Sequence, residues 1–356
     1  VKKNILVHRP HELNKQWAQI ILNHHAVDAI VSEVDIQSIN IGTTTRLKVR
    51  VNHNAPDTVP LNWFVKTPSL LLKSRLITAL PRLLHKEVNF YQSLYESTPL
   101  KLPPMLAAHS HFGLGSTLVM TDLTELGYTP GQPKDALSVE QAQQVVKHLA
   151  QFHAHYWNKA ELLTTHRWLS GFNVSAENHL GSLLAVPLMQ RGLAKAGPLI
   201  PAQLHHPALN YAANRRKVMR WLATEPQTLV HHDCHPGNFF WEDSNPGFLD
   251  WQLVRMGEGI GDIAYFLATS LTPELRRAHE KPLLALYLAS LQENGIPALD
   301  EQQLYQRYRV HLTYPFEAMV ITLAIGDMME LSSNLELIRR VTAAVADHQS
   351  FAGLPV

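Results

Sequence analysis

The stretch His231-His232-Asp233-Cys234-His235-Pro236-Gly237-Asn238 decides how the rest of the chain is read. Its three histidines and one aspartate are a dense run of possible metal ligands, and zinc sites favour such residues. Adjacent residues on a strand point to opposite faces, however, so His231 and His232 would not readily share one ion. No remote His or Glu motif completes a ligand set. The same stretch carries the spacing His-x-Asp-x-x-x-x-Asn, with Asp233 and Asn238 five residues apart. In that spacing the aspartate can accept a proton and the asparagine can offer an amide oxygen to a hard cation. Alone the pattern is weak, because Asp, Asn, Pro and Gly also favour ordinary turns.

Further residues strengthen the second reading. Twelve positions after Asn238 comes Asp250, in Gly247-Phe248-Leu249-Asp250-Trp251-Gln252. It closes an apolar run that reads as a strand, where a carboxylate is exposed towards a site; a plainer reading is a cap or a surface strand end. Lys66 likewise closes the apolar run Leu61-Asn62-Trp63-Phe64-Val65-Lys66. A lysine there is often only a snorkelling edge residue. Glu87 alters that judgement, because it lies in a stretch of helical periodicity over residues 76–96. A strand lysine paired with a helix glutamate aims an ammonium at nucleotide phosphates. The bland reading of Glu87 is a solvated helix face, and Glu33 and Glu96 are less well placed partners.

These residues supply the parts that phosphoryl transfer from ATP requires. Lys66 and Glu87 would hold the phosphates, Asn238 and Asp250 would bind Mg²⁺, and Asp233 would accept the proton of the incoming hydroxyl. The turn at Gly42, Thr43 and Thr44 would cover the phosphates, although a lone glycine in a hairpin is usually just a turn. Residues 120–123, with Met120 and Asp122, would form the hinge for adenine. No G-x-x-x-x-G-K-[ST] segment occurs, which argues against a P-loop enzyme.

A chain of 356 residues suits two parts of roughly 100–200 residues each. Its net charge of +1 gives no electrostatic reason to expect nucleic acid or an acidic membrane as partner. The 21 histidines are scattered, which argues against metal storage. One cysteine, Cys234, cannot form an intrachain disulfide and fits a reducing cytosol. No signal peptide or membrane-spanning stretch is visible. The expectation is a cytoplasmic monomer or weak homodimer.

Periodicity predicts a short helix within residues 12–25 and a hairpin of residues 34–41 and 47–51 turning at residues 42–45. Strands follow at residues 61–66 and 117–120, with the helix of residues 76–96 separating them. Residues 127–134 read as a loop, and Ser138 as the N-cap of a helix reaching Tyr156. Residues 159–205 are hard to place. Short strands are predicted at residues 229–231, 238–241 and 247–250, then helices at 260–270, 273–293, 301–311, 314–331 and 334–348. This is an α+β pattern: an N-terminal nucleotide-binding part over residues 1–123 and a helical catalytic part over residues 124–356.

The segments His231–Asn238, Leu249-Asp250-Trp251-Gln252 and Gly261-Asp262-Ile263-Ala264-Tyr265-Phe266-Leu267 resemble the aminoglycoside phosphotransferase and choline kinase superfamily. The segments Leu149-Ala150-Gln151-Phe152-His153-Ala154-His155-Tyr156-Trp157 and Phe64-Val65-Lys66-Thr67-Pro68 resemble its ecdysteroid-kinase-like branch. The resemblance implies a two-lobed protein-kinase-like fold with ATP and Mg²⁺ between the lobes and a small-molecule hydroxyl as acceptor. It further implies that Asp262 supports the catalytic loop through buried hydrogen bonds and that His153 packs against it. His232 departs from the family pattern, which commonly has glycine there. Two other readings stand beside this one: a non-catalytic nucleotide-binding pseudokinase, and a metal-dependent hydrolase using the His/Asp run.

Overall fold

The structure is a computed structural model that describes residues 5–71, 82–111, 115–171 and 176–355, with residues 176–180 described by backbone alone. Asn14 starts the first helix, α1 (Lys15–Leu22), by accepting the Trp17 N–H at 3.0 Å. The predicted hairpin follows as β1 (Val31–Ile41) and β2 (Thr44–His53), closed by a bond from Gly42 N to Thr44 O at 3.0 Å. Alternation along β2 sends Leu47, Val49 and Val51 into the core. Next come β3 (Asn62–Pro68), α2 (Leu83–Leu94), β4 (Met105–His111) and β5 (Gly115–Thr121). The strands form one antiparallel sheet in the order β1-β2-β3-β5-β4.

The sheet buries Val49, Val51, Trp63, Val65 and Val119 against α1, where Trp17 meets Trp63 edge-on with ring centroids 5.9 Å apart. Each such fully buried aliphatic side chain stabilises the fold by about 1.5–3 kcal/mol. Strand β4 was not read from the sequence: its run Met-Leu-Ala-Ala-His-Ser-His has low β-propensity, and only its pairing with β5 makes it a strand. Of the predicted helix over residues 76–96, residues 83–94 are helical, while Leu76 and Leu80 lie outside the described residues.

Two compact units result. One is Val1–Thr129 with Gly247–Gln252, and the other is Pro130–Pro246 with Leu253–Val356. The second unit is mainly helical. Helix α3 (Val139–His155) opens with a reciprocal capping box between Ser138 and Gln141. Residues 159–205, which resisted placement, contain α4 (Ala176–Ala196) with Pro187 inside it; α5 (His205–Ala213) and α6 (Arg215–Trp221) follow. An internal proline and weak amphipathicity explain why periodicity did not reveal α4.

Short strands β6 (Thr228–Val230), β7 (Phe239–Glu242), β8 (Asn245–Phe248) and β9 (Arg255–Gly257) frame the central segment. Helix α7 (Gly259–Ser270) is buried along nearly its whole length. It is followed by α8 (Pro273–Glu293), α9 (Glu301–His311), α10 (Thr313–Ile325) and α11 (Leu331–Asp347). Helix α10 ends earlier than the predicted residue 331, because Gly326 adopts φ +78° and stops it. The architecture is the α+β class expected, a sheet-bearing N-terminal part and a helical C-terminal part. No helix among the described residues is long and apolar enough to cross a membrane.

Candidate active site

In the first unit, Lys66 sits on β3 opposite Arg46 of β2 and Leu118 of β5. Its side chain is only 4% exposed, so an uncompensated charge there would be costly. Compensation is complete in kind: Lys66 Nζ donates to both Glu87 oxygens at 2.8 and 2.7 Å and lies 3.4 Å from Asp250 Oδ2. Burial pulls the Lys66 pKa down, but Asp250 and Glu87 outweigh it, and the net movement is upward. For Glu87 burial dominates over the pull of Lys66 and raises the carboxyl to about 7. Glu87 is almost fully buried, whereas the Asp250 side chain is 29% exposed. Of the two carboxylates, only Asp250 can reach a ligand.

Asp250 does not lie at a strand end, as the sequence suggested. Strand β8 stops at Phe248, and Asp250 takes the left-handed backbone conformation, φ +61°. Stacking of Trp251 on Phe90 of α2, with centroids 4.0 Å apart and planes 9° apart, fixes this turn beside Glu87. The Gly42 turn is held from below: Ser69 Oγ donates to Gly42 O at 2.7 Å, and Thr45 Oγ1 accepts Leu70 N–H at 3.0 Å. Thr44 and Thr45 are buried, and Thr43 is half-buried. Met120 lies within β5, opposite Phe64 and Met105. Asp122 is engaged at the sheet end: its N–H donates to Asn62 O, its carboxylate accepts from Thr124 and pairs with Lys48 at 3.0 Å.

The second unit holds the His231–Asn238 loop. Strand β6 ends at Val230, so His231 and His232 are not strand residues with opposed side chains; His232 turns the chain with φ +69°. Asp262, fully buried on α7, anchors the turn by accepting His231 N–H at 2.7 Å and His232 N–H at 2.8 Å. His153 Nε2 lies 3.3 Å from the same carboxylate, and its Nδ1 is 3.0 Å from the Tyr287 hydroxyl. Gly259 is required at this crowding: a Cβ there would stand 2.5 Å from the Tyr287 oxygen and 2.8 Å from His153 Nδ1. The buried hydrogen bonds implied for Asp262 and the packing implied for His153 are thus present.

Asp233 is different in kind, since its side chain is 23% exposed. Asn238 Nδ2 donates to Asp233 Oδ2 at 3.0 Å and to Asp233 O at 2.9 Å, and the Tyr265 hydroxyl donates to Oδ1 at 2.6 Å. Because the Asn238 amide nitrogen faces Asp233, its carbonyl oxygen is turned the other way. His235 Nδ1 accepts Gly237 N–H at 3.1 Å. Cys234 is fully buried, and burial pushes its thiol well above the usual range, which makes it inert. Among the described residues no three of His, Cys, Asp and Glu gather as metal ligands.

Tyr265 was not singled out by sequence. The signal lay in its spacing: it follows Asp262 by three, so one face of α7 carries both the anchor of the loop and a donor to its carboxylate. Arg46 was missed too, although its alternation with Leu47 places it on the face of Lys66. It donates to Asn40 Oδ1 at 2.9 Å beside the Gly42 turn.

A model of the ecdysteroid kinase-like family matches residues 42–296, a span containing Lys66, Glu87, the loop and Asp262. The chain belongs to the ecdysteroid kinase-like family. A search of curated proteins gave no match. Among solved structures, this family member is similar to a GDP complex of an aminoglycoside 2'-phosphotransferase-IIIa variant, at 13% identity and TM-score 0.54, covering 94% of this chain and 99% of that one. The GDP and kanamycin complex of a related phosphotransferase matches at 13% identity and TM-score 0.54, covering 93% and 98%. LicA in complex with AMP matches at 14% identity and TM-score 0.50, covering 94% and 98%. The fold is therefore that of kinase-like small-molecule phosphotransferases.

Proposed function

We propose that this chain transfers the γ-phosphoryl group of ATP to a hydroxyl of a small organic molecule, with Asp233 as the base. The observation that carries the reading is the state of Asp233: a part-exposed carboxylate, oriented through both oxygens, on a loop whose backbone is pinned by the buried Asp262. A structural aspartate resembles Asp262, with no access to solvent; Asp233 is held in place yet reachable.

Lys66, aligned by Glu87, would bind the α- and β-phosphates. The turn at Gly42, Thr43 and Thr44 would cover them, and Met120 and Asp122 would flank adenine. Asp250 and Asn238 would be the Mg²⁺ ligands, because the ion prefers hard oxygen donors and a carboxylate and an amide oxygen are such donors. Bound there, the ion would neutralise phosphate charge. Asp233 would orient the acceptor and take its proton as the oxygen–phosphorus bond forms and ADP departs. Transfer is then direct, without a phosphoenzyme.

The test is an ADP-release screen of the purified protein with MgATP against alcohols, sterols, amino alcohols and antibiotics. Asp233→Ala should abolish release while ATP binding persists. Full activity in that variant would refute the mechanism, and ATP binding without transfer to any acceptor would support the pseudokinase reading.

A further inference from the structure

We propose that Tyr265 is a positioning residue for the Asp233 carboxylate and that the stacked His232–Tyr314 pair braces it, an inference that rests on the reading of Asp233 as the base. The Tyr265 hydroxyl reaches Asp233 Oδ1 at 2.6 Å, the short distance of a charge-assisted O–H···O⁻ bond. Tyr265 is 1% exposed, and burial, then the Asp233 charge, pushes its phenol well above the usual range. The proton therefore stays on the tyrosine, which acts as a donor throughout. With Asn238 on Oδ2 and Tyr265 on Oδ1, the carboxylate is fixed in rotation, and each oxygen retains a lone pair for the acceptor.

The brace explains why histidine occupies position 232. Its φ of +69° is one that glycine adopts without strain. A residue in that conformation persists where the surrounding structure holds it there. The His232 ring stacks on Tyr314, with centroids 3.9 Å apart and planes 22° apart, and Tyr314 in turn packs on Tyr265 at 5.9 Å. His232, Tyr314 and Tyr265 thus form one aromatic row ending at the base. In the transfer step the acceptor O–H bond breaks as its oxygen bonds Pγ, and the bond from Pγ to the ADP oxygen breaks. The proton passes to Asp233, and Tyr265 keeps its own.

The experiment uses Tyr265→Phe, His232→Gly and the double variant. ADP release is measured from MgATP with water as acceptor and with whichever screened alcohol gives the largest signal. Tyr265→Phe should lower kcat between about 10- and 100-fold, the scale of a reacting group displaced by about 1 Å, with KM for ATP and alcohol within about twofold. His232→Gly should lower kcat while its unfolding midpoint holds or rises. The double variant should be no slower than Tyr265→Phe, because the brace acts through the tyrosine. Wild-type kcat in Tyr265→Phe, or penalties that multiply in the double variant, would overturn the proposal. A high-resolution structure of Tyr265→Phe needs no turnover: Asp233 should leave its single rotamer, and an unmoved carboxylate defeats the inference. Failure of the wild-type protein to release ADP with any acceptor instead counts against the kinase reading itself.

Discussion

Asp262→Asn is the substitution that most directly probes how the His231–Asn238 loop is held. The carboxylate is fully buried and takes one backbone N–H on each oxygen, His231 at 2.7 Å and His232 at 2.8 Å. Asparagine preserves size but replaces one acceptor with an NH₂ group that meets an N–H head-on. One bond to a charged acceptor is lost, worth about 1.5–3 kcal/mol, and one buried donor is left unmet at about 1–3 kcal/mol. The sum, about 2.5–6 kcal/mol, is a large share of the 5–15 kcal/mol typical of a domain.

At about 1.4 kcal/mol per tenfold, this corresponds to a loss of protection by about 10²–10⁴ at the amides of residues 231 and 232. Hydrogen exchange on the peptide spanning residues 228–238 measures it directly, and urea unfolding gives the global share. Phosphate transfer should fall in parallel. If those amides exchange at the wild-type rate and the unfolding midpoint is unmoved, Asp262 does not anchor the loop.

Lys66→Met removes the cation facing Glu87 and Asp250 and should cost about 3–5 kcal/mol of stability, as for a broken buried pair. Adding Glu87→Gln should restore stability but not ATP affinity, by calorimetric titration; unchanged affinity in Lys66→Met removes it from the site. Acid stability should depend on Glu258 and Glu280. Burial pushes both carboxyls up, but His311 and Arg307 at the first, and His348 and Arg276 at the second, outweigh it and hold them below the ordinary value. A depressed carboxyl contributes stability that is present above its unfolded-state pKa and lost as pH falls through its folded one, below the ordinary carboxyl range. Glu258→Gln should flatten this acid limb in circular dichroism, and an identical limb would contradict the assignment.

The sequence by itself determined the family resemblance and most of the elements. Fixed spacing made Asp233, Asn238 and Asp250 recognisable, and two periodicities, alternation for β2 and β3 and the helical repeat for α3, placed the sheet and the helical part. These signals are local, so a linear reading captures them. Strand β4 escaped because its propensity is poor and only β5 defines it; α4 escaped because of Pro187.

Tertiary structure alone decided which carboxylate is buried and which is reachable. Asp233 and Asp262 look alike in the sequence, yet one is 23% exposed and the other 0%. It also decided the left-handed turns at His232 and Asp250 and brought the Tyr265 hydroxyl to Asp233 across 32 residues. Solvent access and hydrogen bonding depend on what packs around a group, and those neighbours are distant in the chain.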